Sequence, residues 1–116
     1  VEALKATLTT LLAGFKRRGD RIAAYGAAAK GSTLLNYFGI GLETLDFVVD
    51  RSPHKQGRFM PGVHIPIRAP ERLLEEMPDE VLLLTWNFAD EILEQQKAYR
   101  QLGGRFIIPV PDVKVA

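Results

Sequence analysis

A short apolar strand that runs straight into glycine, small residues and a helical pattern leaves a polypeptide few folds, and this chain has one between Arg21 and Ile40. The strand ends at Tyr25, and Gly26-Ala27-Ala28-Ala29-Lys30-Gly31-Ser32-Thr33 follows. The segment reads as a phosphate cradle. Gly26 can make the tight turn off the strand, Ala28 is small enough for close backbone approach, and Gly31 lets the next helix pack against the sheet. The helix is expected to open with Ser32 and Thr33, whose unpaired N–H groups and dipole would face an anion held in the loop.

The loop completes neither of two known phosphate-binding fingerprints. Its spacing matches G-x-G-x-x-G with Ala28 in place of the middle glycine, and it approaches G-x-x-x-x-G-K-[ST] with the lysine placed before the second glycine. Asp50, at the end of the next apolar strand, falls roughly 20 residues on, where a ribose-binding acid belongs. The competing reading is that glycine and alanine simply permit tight strand-to-helix packing without any ligand.

Around this segment the pattern alternates. Leu4, Leu8, Leu11, Leu12 and Phe15 recur at helical spacing, with Lys16, Arg17 and Arg18 at the negative end of that helix and Gly19-Asp20 closing it. Strand-like runs follow at Ile22 to Tyr25, Leu45 to Val49, Val81 to Thr85 and Phe106 to Ile108, separated by helical patterns at Ser32 to Phe38, Pro70 to Met77 and Phe88 to Leu102. Val63 to Ile67 could add a short strand that Pro66 confines to an edge or an end. Continuous apolar strands belong to parallel sheets covered on both faces, so the expected fold class is α/β: a Rossmann-like, doubly wound, mostly parallel sheet in three layers.

With 116 residues, 47% apolar and 25% charged, the chain suits one compact domain spanning 1–116 and leaves no room for a second. A formal charge of +1 with scattered basic residues gives no footprint for nucleic acid or an anionic membrane. Apolar runs such as Val81 to Leu84 are far too short to span a bilayer, and a cytoplasmic address is expected. The absence of cysteine rules out disulfides and thiolate zinc within these residues, and two separated histidines offer little for a metal centre. Because the chain opens at Val1 inside a helical pattern, it reads as a piece of a longer protein.

In a parallel α/β sheet, ligands gather outside the carboxyl ends of the strands. Three segments fall there: the glycine loop, Asp50-Arg51-Ser52-Pro53-His54-Lys55-Gln56-Gly57, and Thr85-Trp86-Asn87. Lys30 and Lys55 could meet phosphate oxygens as point charges, or be solvated surface residues. His54 could hydrogen-bond a sugar or phosphate, or sit exposed in a turn. Trp86 could stack on a base or plug the end of the sheet. Asn87 reads as a helix cap reinforced by Asp90, and His64, beside apolar neighbours, as structural. No nucleophile has an evident base partner and no pair of carboxylates stands out, so binding is favoured over self-sufficient catalysis.

With these residues in view, almost the whole chain resembles the C-terminal domain of the S-adenosylmethionine-dependent sugar C-methyltransferases, which methylate carbon in nucleotide-activated deoxysugars. The resemblance rests on Tyr25 through Tyr37, on Asp50 through Gly57 with Pro61-Gly62-Val63-His64-Ile65-Pro66, and on Trp86-Asn87 with Asp90-Glu91-Ile92. It implies an upstream domain with a cysteine-bound zinc, a middle domain that binds the methyl donor, and a C-terminal domain that closes over the nucleotide-sugar while binding no cofactor itself. It carries over Gly26, Ala28, Lys30, Gly31, Ser32, Thr33, Asn36, Asp50, Ser52, His54, Lys55, Trp86 and Asn87 as substrate-binding candidates, with no catalytic residue here. Ser32 stands where asparagine is frequent and Thr85 where proline precedes Trp86-Asn87, so the sugar or its nucleotide is open. Two alternatives stand beside this reading: an independent nucleotide or dinucleotide module, and a purely structural domain.

Overall fold

The structure is a computed structural model that describes residues 2–110 and 112–116. Helix α1 (Glu2–Arg17) leads into β1 (Ile22–Tyr25), α2 (Ala29–Phe38), β2 (Val48–Val49), β3 (Ile67–Arg68), α3 (Arg72–Glu76) and β4 (Glu80–Leu83). A 3-10 turn (Trp86–Phe88), α4 (Ala89–Gln95), α5 (Lys97–Gln101), β5 (Arg105–Ile108) and β6 (Lys114–Val115) complete it. The sheet order is β3-β2-β1-β4-β5-β6, parallel throughout except for β6 against β5. The chain therefore builds outward from β1 in one direction, then returns and builds outward from β4 in the other. The seam between β1 and β4 is the point where ligands collect in such sheets.

Strand β1 explains the unbroken apolar pattern. All four of its residues are buried, yet Ile22 and Ala24 join one apolar cluster while Ala23 and Tyr25 join another. The first cluster takes Leu8, Leu12 and Phe15 of α1 and Leu34, Leu35 and Phe38 of α2. The second takes Leu73 of α3, Ile92 of α4 and Tyr99 of α5. A strand apolar on both sides needs cover on both sides. Gly19 ends the segment after α1 with φ +88°, a conformation costly for any residue with a Cβ.

Several boundaries differ from the sequence pattern. The run Leu45 to Val49 yields only two strand residues, although Asp46 and Phe47 still bond β1, Asp46 through its N–H to the Ile22 carbonyl and Phe47 through its carbonyl to the Ala24 N–H. Beyond Phe38, Gly39 takes φ +70° as a left-handed cap, and the Leu45 N–H turns back onto the Gly41 carbonyl, which delays the strand. The segment Phe88 to Leu102 is two helices because the backbone breaks at Gln96. That break sets Tyr99 into the core, where its hydroxyl donates to the Pro78 carbonyl at 2.6 Å. Strand β6 had no signal in the apolar pattern, since both its residues are exposed.

The amino ends of the strands hold a separate charged group. Glu80, fully buried at the start of β4, bonds Arg105 through Oε2, with Arg18 at 3.4 Å, while its Oε1 has no partner. Arg18 in turn grips Asp20 at 2.5 Å. Burial first, and Asp20 second, push the Glu80 carboxyl up to about 7. The Arg18 hydrogen bond holds Asp20 below its ordinary range.

Candidate functional site

The glycine loop forms as its residue sizes require. Gly26 takes φ +105°, and a Cβ there would lie 2.5 Å from the Thr85 methyl carbon. A Cβ on Gly31 would lie 2.8 Å from Cβ of Leu84, so α2 seats against the residue just past β4 only because position 31 has no side chain. The helix begins earlier than the sequence suggests. Ala29 is its first residue, the Ser32 N–H is already bonded to the Ala28 carbonyl, and the N–H groups without an intrahelical acceptor belong to Ala29, Lys30 and Gly31. Ala28 stands at the cap with no side-chain bond, which leaves the helix end open to an incoming acceptor.

Asp50 organises the rim. Its Oδ2 accepts the Ala27 N–H at 2.7 Å and its Oδ1 accepts the Ser52 N–H at 2.8 Å. Gln56 donates to the Asp50 backbone carbonyl at 2.8 Å. A single carboxylate thus ties the loop after β1 to the loop after β2, through charge-assisted bonds of the stronger kind.

Ser32 and Asn36 are also engaged. The Ser32 hydroxyl donates to the Pro61 carbonyl at 3.0 Å, and Asn36 Nδ2 donates to the Ser32 carbonyl at 2.7 Å and to the Pro61 carbonyl at 3.3 Å. These two residues clamp the 50–66 segment onto α2. Thr33 back-bonds to the Ala29 carbonyl at 3.0 Å. His54 and Lys55 are exposed on the loop after β2, and Lys55 closes a turn through its N–H to the Ser52 carbonyl. Asn87 is not a helix cap. The 3-10 turn at Trp86–Phe88 moves the start of α4 to Ala89, behind Phe88, with no side-chain cap.

Two recesses flank the loop. On the α2 side, a groove of about 470 Å³ is lined by Lys30, Thr33, Leu34, Tyr37, Trp86 and Val110, among others, and is mainly apolar. Trp86 is half-buried against the core there, so it both plugs the sheet end and walls the groove. On the α4 side, at the β1/β4 seam, a crevice of about 250 Å³ is lined by Tyr25, Gly26, Asp50, Arg51, Thr85 and Phe88, together with residues of α4. It adjoins a wider recess of about 520 Å³ that includes Gln56, Glu71, Gln95 and Gln96. Arg51 lies in the segment the sequence placed at this edge, whereas Tyr25, Phe88, Gln95 and Gln96 were missed as lining residues; their only signal was position, at a strand end and at the helix break.

A family model for the C-methyltransferase C-terminal domain matches residues 1–111. The chain belongs to that family. It is also 41% identical over 114 residues to C-methyltransferase NovU of Streptomyces niveus, which covers 98% of this chain and 27% of that protein. This C-methyltransferase C-terminal domain therefore spans about a quarter of the curated relative it matches. Its residues do not fit a zinc site: cysteine is absent, and among the described residues no three His, Asp or Glu side chains come together to hold a metal. None of the described helices is long and apolar enough to cross a membrane.

Proposed function

We propose that this domain holds a nucleotide-linked deoxysugar at the carboxyl rim of its sheet and closes the active site of the full-length C-methyltransferase over it. The carrying observation is the Asp50 carboxylate, which binds the loops after β1 and β2 into one rim beside the open end of α2. Lys30 supplies a cation at that end, and the N–H groups of Ala29, Lys30 and Gly31 supply donors for a diphosphate. Ser32, Asn36 and Gly31 support the rim through packing and the Pro61 clamp. Lys55, His54 and Asn87 border the ligand from neighbouring loops. The apolar clusters on the two faces of the sheet support a three-layer, Rossmann-like reading of the fold.

In this reading, a base outside the chain removes a proton beside the sugar carbonyl, and the enolate carbon takes up a methyl group. When bound by upstream domains, S-adenosylmethionine would supply that methyl group, its S–CH3 bond breaking to release the neutral thioether. This chain's part is to bind, orient and exclude water.

Calorimetric titration of the full-length protein with a thymidine diphosphate sugar, NAD and S-adenosylmethionine tests the assignment. Binding of the sugar nucleotide that is lost when this domain is deleted supports it. Affinity of the domain for NAD but not for the sugar nucleotide would favour an independent dinucleotide module. Undiminished sugar-nucleotide binding after deletion would reduce the domain to a structural unit.

A further inference from the structure

The phosphate cradle leaves one buried group without a task. Tyr25 is 4% exposed at the end of β1, and its hydroxyl is buried with no hydrogen-bond partner. Burial also holds its phenol above the ordinary pKa, so it remains a proton donor. The Gln96 amide stands within hydrogen-bonding reach of the phenol and partly offsets the effect of burial, yet no bond of normal geometry closes between them. An orphaned buried hydroxyl is a cost to the fold, and such a cost commonly marks a partner yet to arrive.

The surroundings of Tyr25 describe that partner. The seam crevice carries the Arg51 guanidinium, the exposed ring of Phe88 and the Gln95 amide, and the adjoining recess adds Gln96. Primary amides present a donor and an acceptor side by side, the complement of a ring edge that alternates carbonyl and N–H. An exposed aromatic ring offers a stacking face that any flat heterocycle can use. Arginine adds donors for ring carbonyls. The groove on the other side of the loop is apolar and offers no such set.

Resting on the sugar-nucleotide reading above, we propose that the crevice between the loop after β2 and helix α4 receives the pyrimidine base of the ligand, held by Tyr25, Arg51, Gln95 and Gln96. Seating the base turns the Gln96 amide and opens the phenol to it. The diphosphate then lies at Lys30, and the sugar passes to the Trp86 side, toward the rest of the enzyme. At about 250 Å³ the crevice is below the usual range for whole-ligand pockets, which suits one ring and its pentose.

The test uses the full-length protein and four probes: thymidine diphosphate, uridine diphosphate, adenosine diphosphate and inorganic pyrophosphate. Tyr25→Phe should melt no lower than wild type, because the hydroxyl it removes bonds nothing in the protein, yet bind the two pyrimidine nucleotides about five- to tenfold more weakly. Gln96→Leu should act in the same direction, and pyrophosphate affinity should be unchanged in both variants. Lys30→Ala should weaken all four probes. If Tyr25→Phe and Gln96→Leu bind pyrimidine nucleotides like wild type while Lys30→Ala does not, the base pocket is wrong and the phosphate cradle stands. A lower melting temperature for Tyr25→Phe, or adenosine diphosphate bound as tightly as the pyrimidines, overturns the pocket as well. Failure of wild type to bind any nucleotide removes the sugar-nucleotide reading with it.

Discussion

Replacing Glu80 by glutamine should stabilise this domain at alkaline pH, against the usual expectation for a carboxylate flanked by two arginines. Glu80 is fully buried, one of its oxygens has no partner, and Asp20 brings a second carboxylate to the same arginines. Its folded-state pKa of about 7 lies above the ordinary 4.5. Between those values the folded chain binds more protons than the unfolded chain, so stability falls as pH rises. The contribution is complete below about pH 4.5 and is lost through pH 7. A displacement of that size corresponds to at most about 3 kcal/mol, and because Arg18 and Arg105 are half open to solvent the working figure is about 1–2 kcal/mol.

Glutamine keeps the shape and removes the titration. Thermal unfolding of wild type and Glu80→Gln, followed by circular dichroism from pH 5 to 8.5, should give similar midpoints at pH 5. At pH 8 the variant should melt higher by about 4–8 °C. If Glu80→Gln is the less stable protein at pH 8, the ionised Glu80–Arg105 pair is worth more than its burial costs, and the reasoning is refuted.

Lys30→Ala should weaken sugar-nucleotide binding by the full-length enzyme by about 1–3 kcal/mol, the range for one charge-assisted hydrogen bond; unchanged calorimetric affinity with an intact fold removes Lys30 from the site. Gly31→Ala forces a Cβ to within 2.8 Å of Leu84 and should cost about 1–3 kcal/mol in urea unfolding, with wild-type stability showing that α2 can shift freely. Tyr99→Phe leaves the Pro78 carbonyl without its 2.6 Å donor and should cost about 1–2 kcal/mol, while a neutral result would mean that water replaces the hydroxyl.

The sequence made legible whatever depends on near neighbours. Gly26 and Gly31 act at the turn and the helix seat that their spacing implied, and β1 has the bounds its apolar run suggested. Asp50 was found by its distance from the loop, but its bond to the Ala27 N–H depends on where two strands end in space. Ser32 and Asn36 looked free to face a ligand because Pro61, which they hold, lies 29 and 25 residues further along. Asn87 with Asp90 had the spacing of a cap, yet the tighter turn at Trp86 displaced the helix start beyond it. Tyr25 read only as the end of an apolar strand, since a missing partner is a property of the folded surroundings.

The connection from β2 to β3 contains no helix, yet Met60 and Ile65 within it are as deeply buried as the strands. Two anchors sunk in the core allow the coil between and beyond them to exchange side chains without rethreading the sheet. A lineage that needs to accept a different cargo can rewrite this stretch and keep its scaffold.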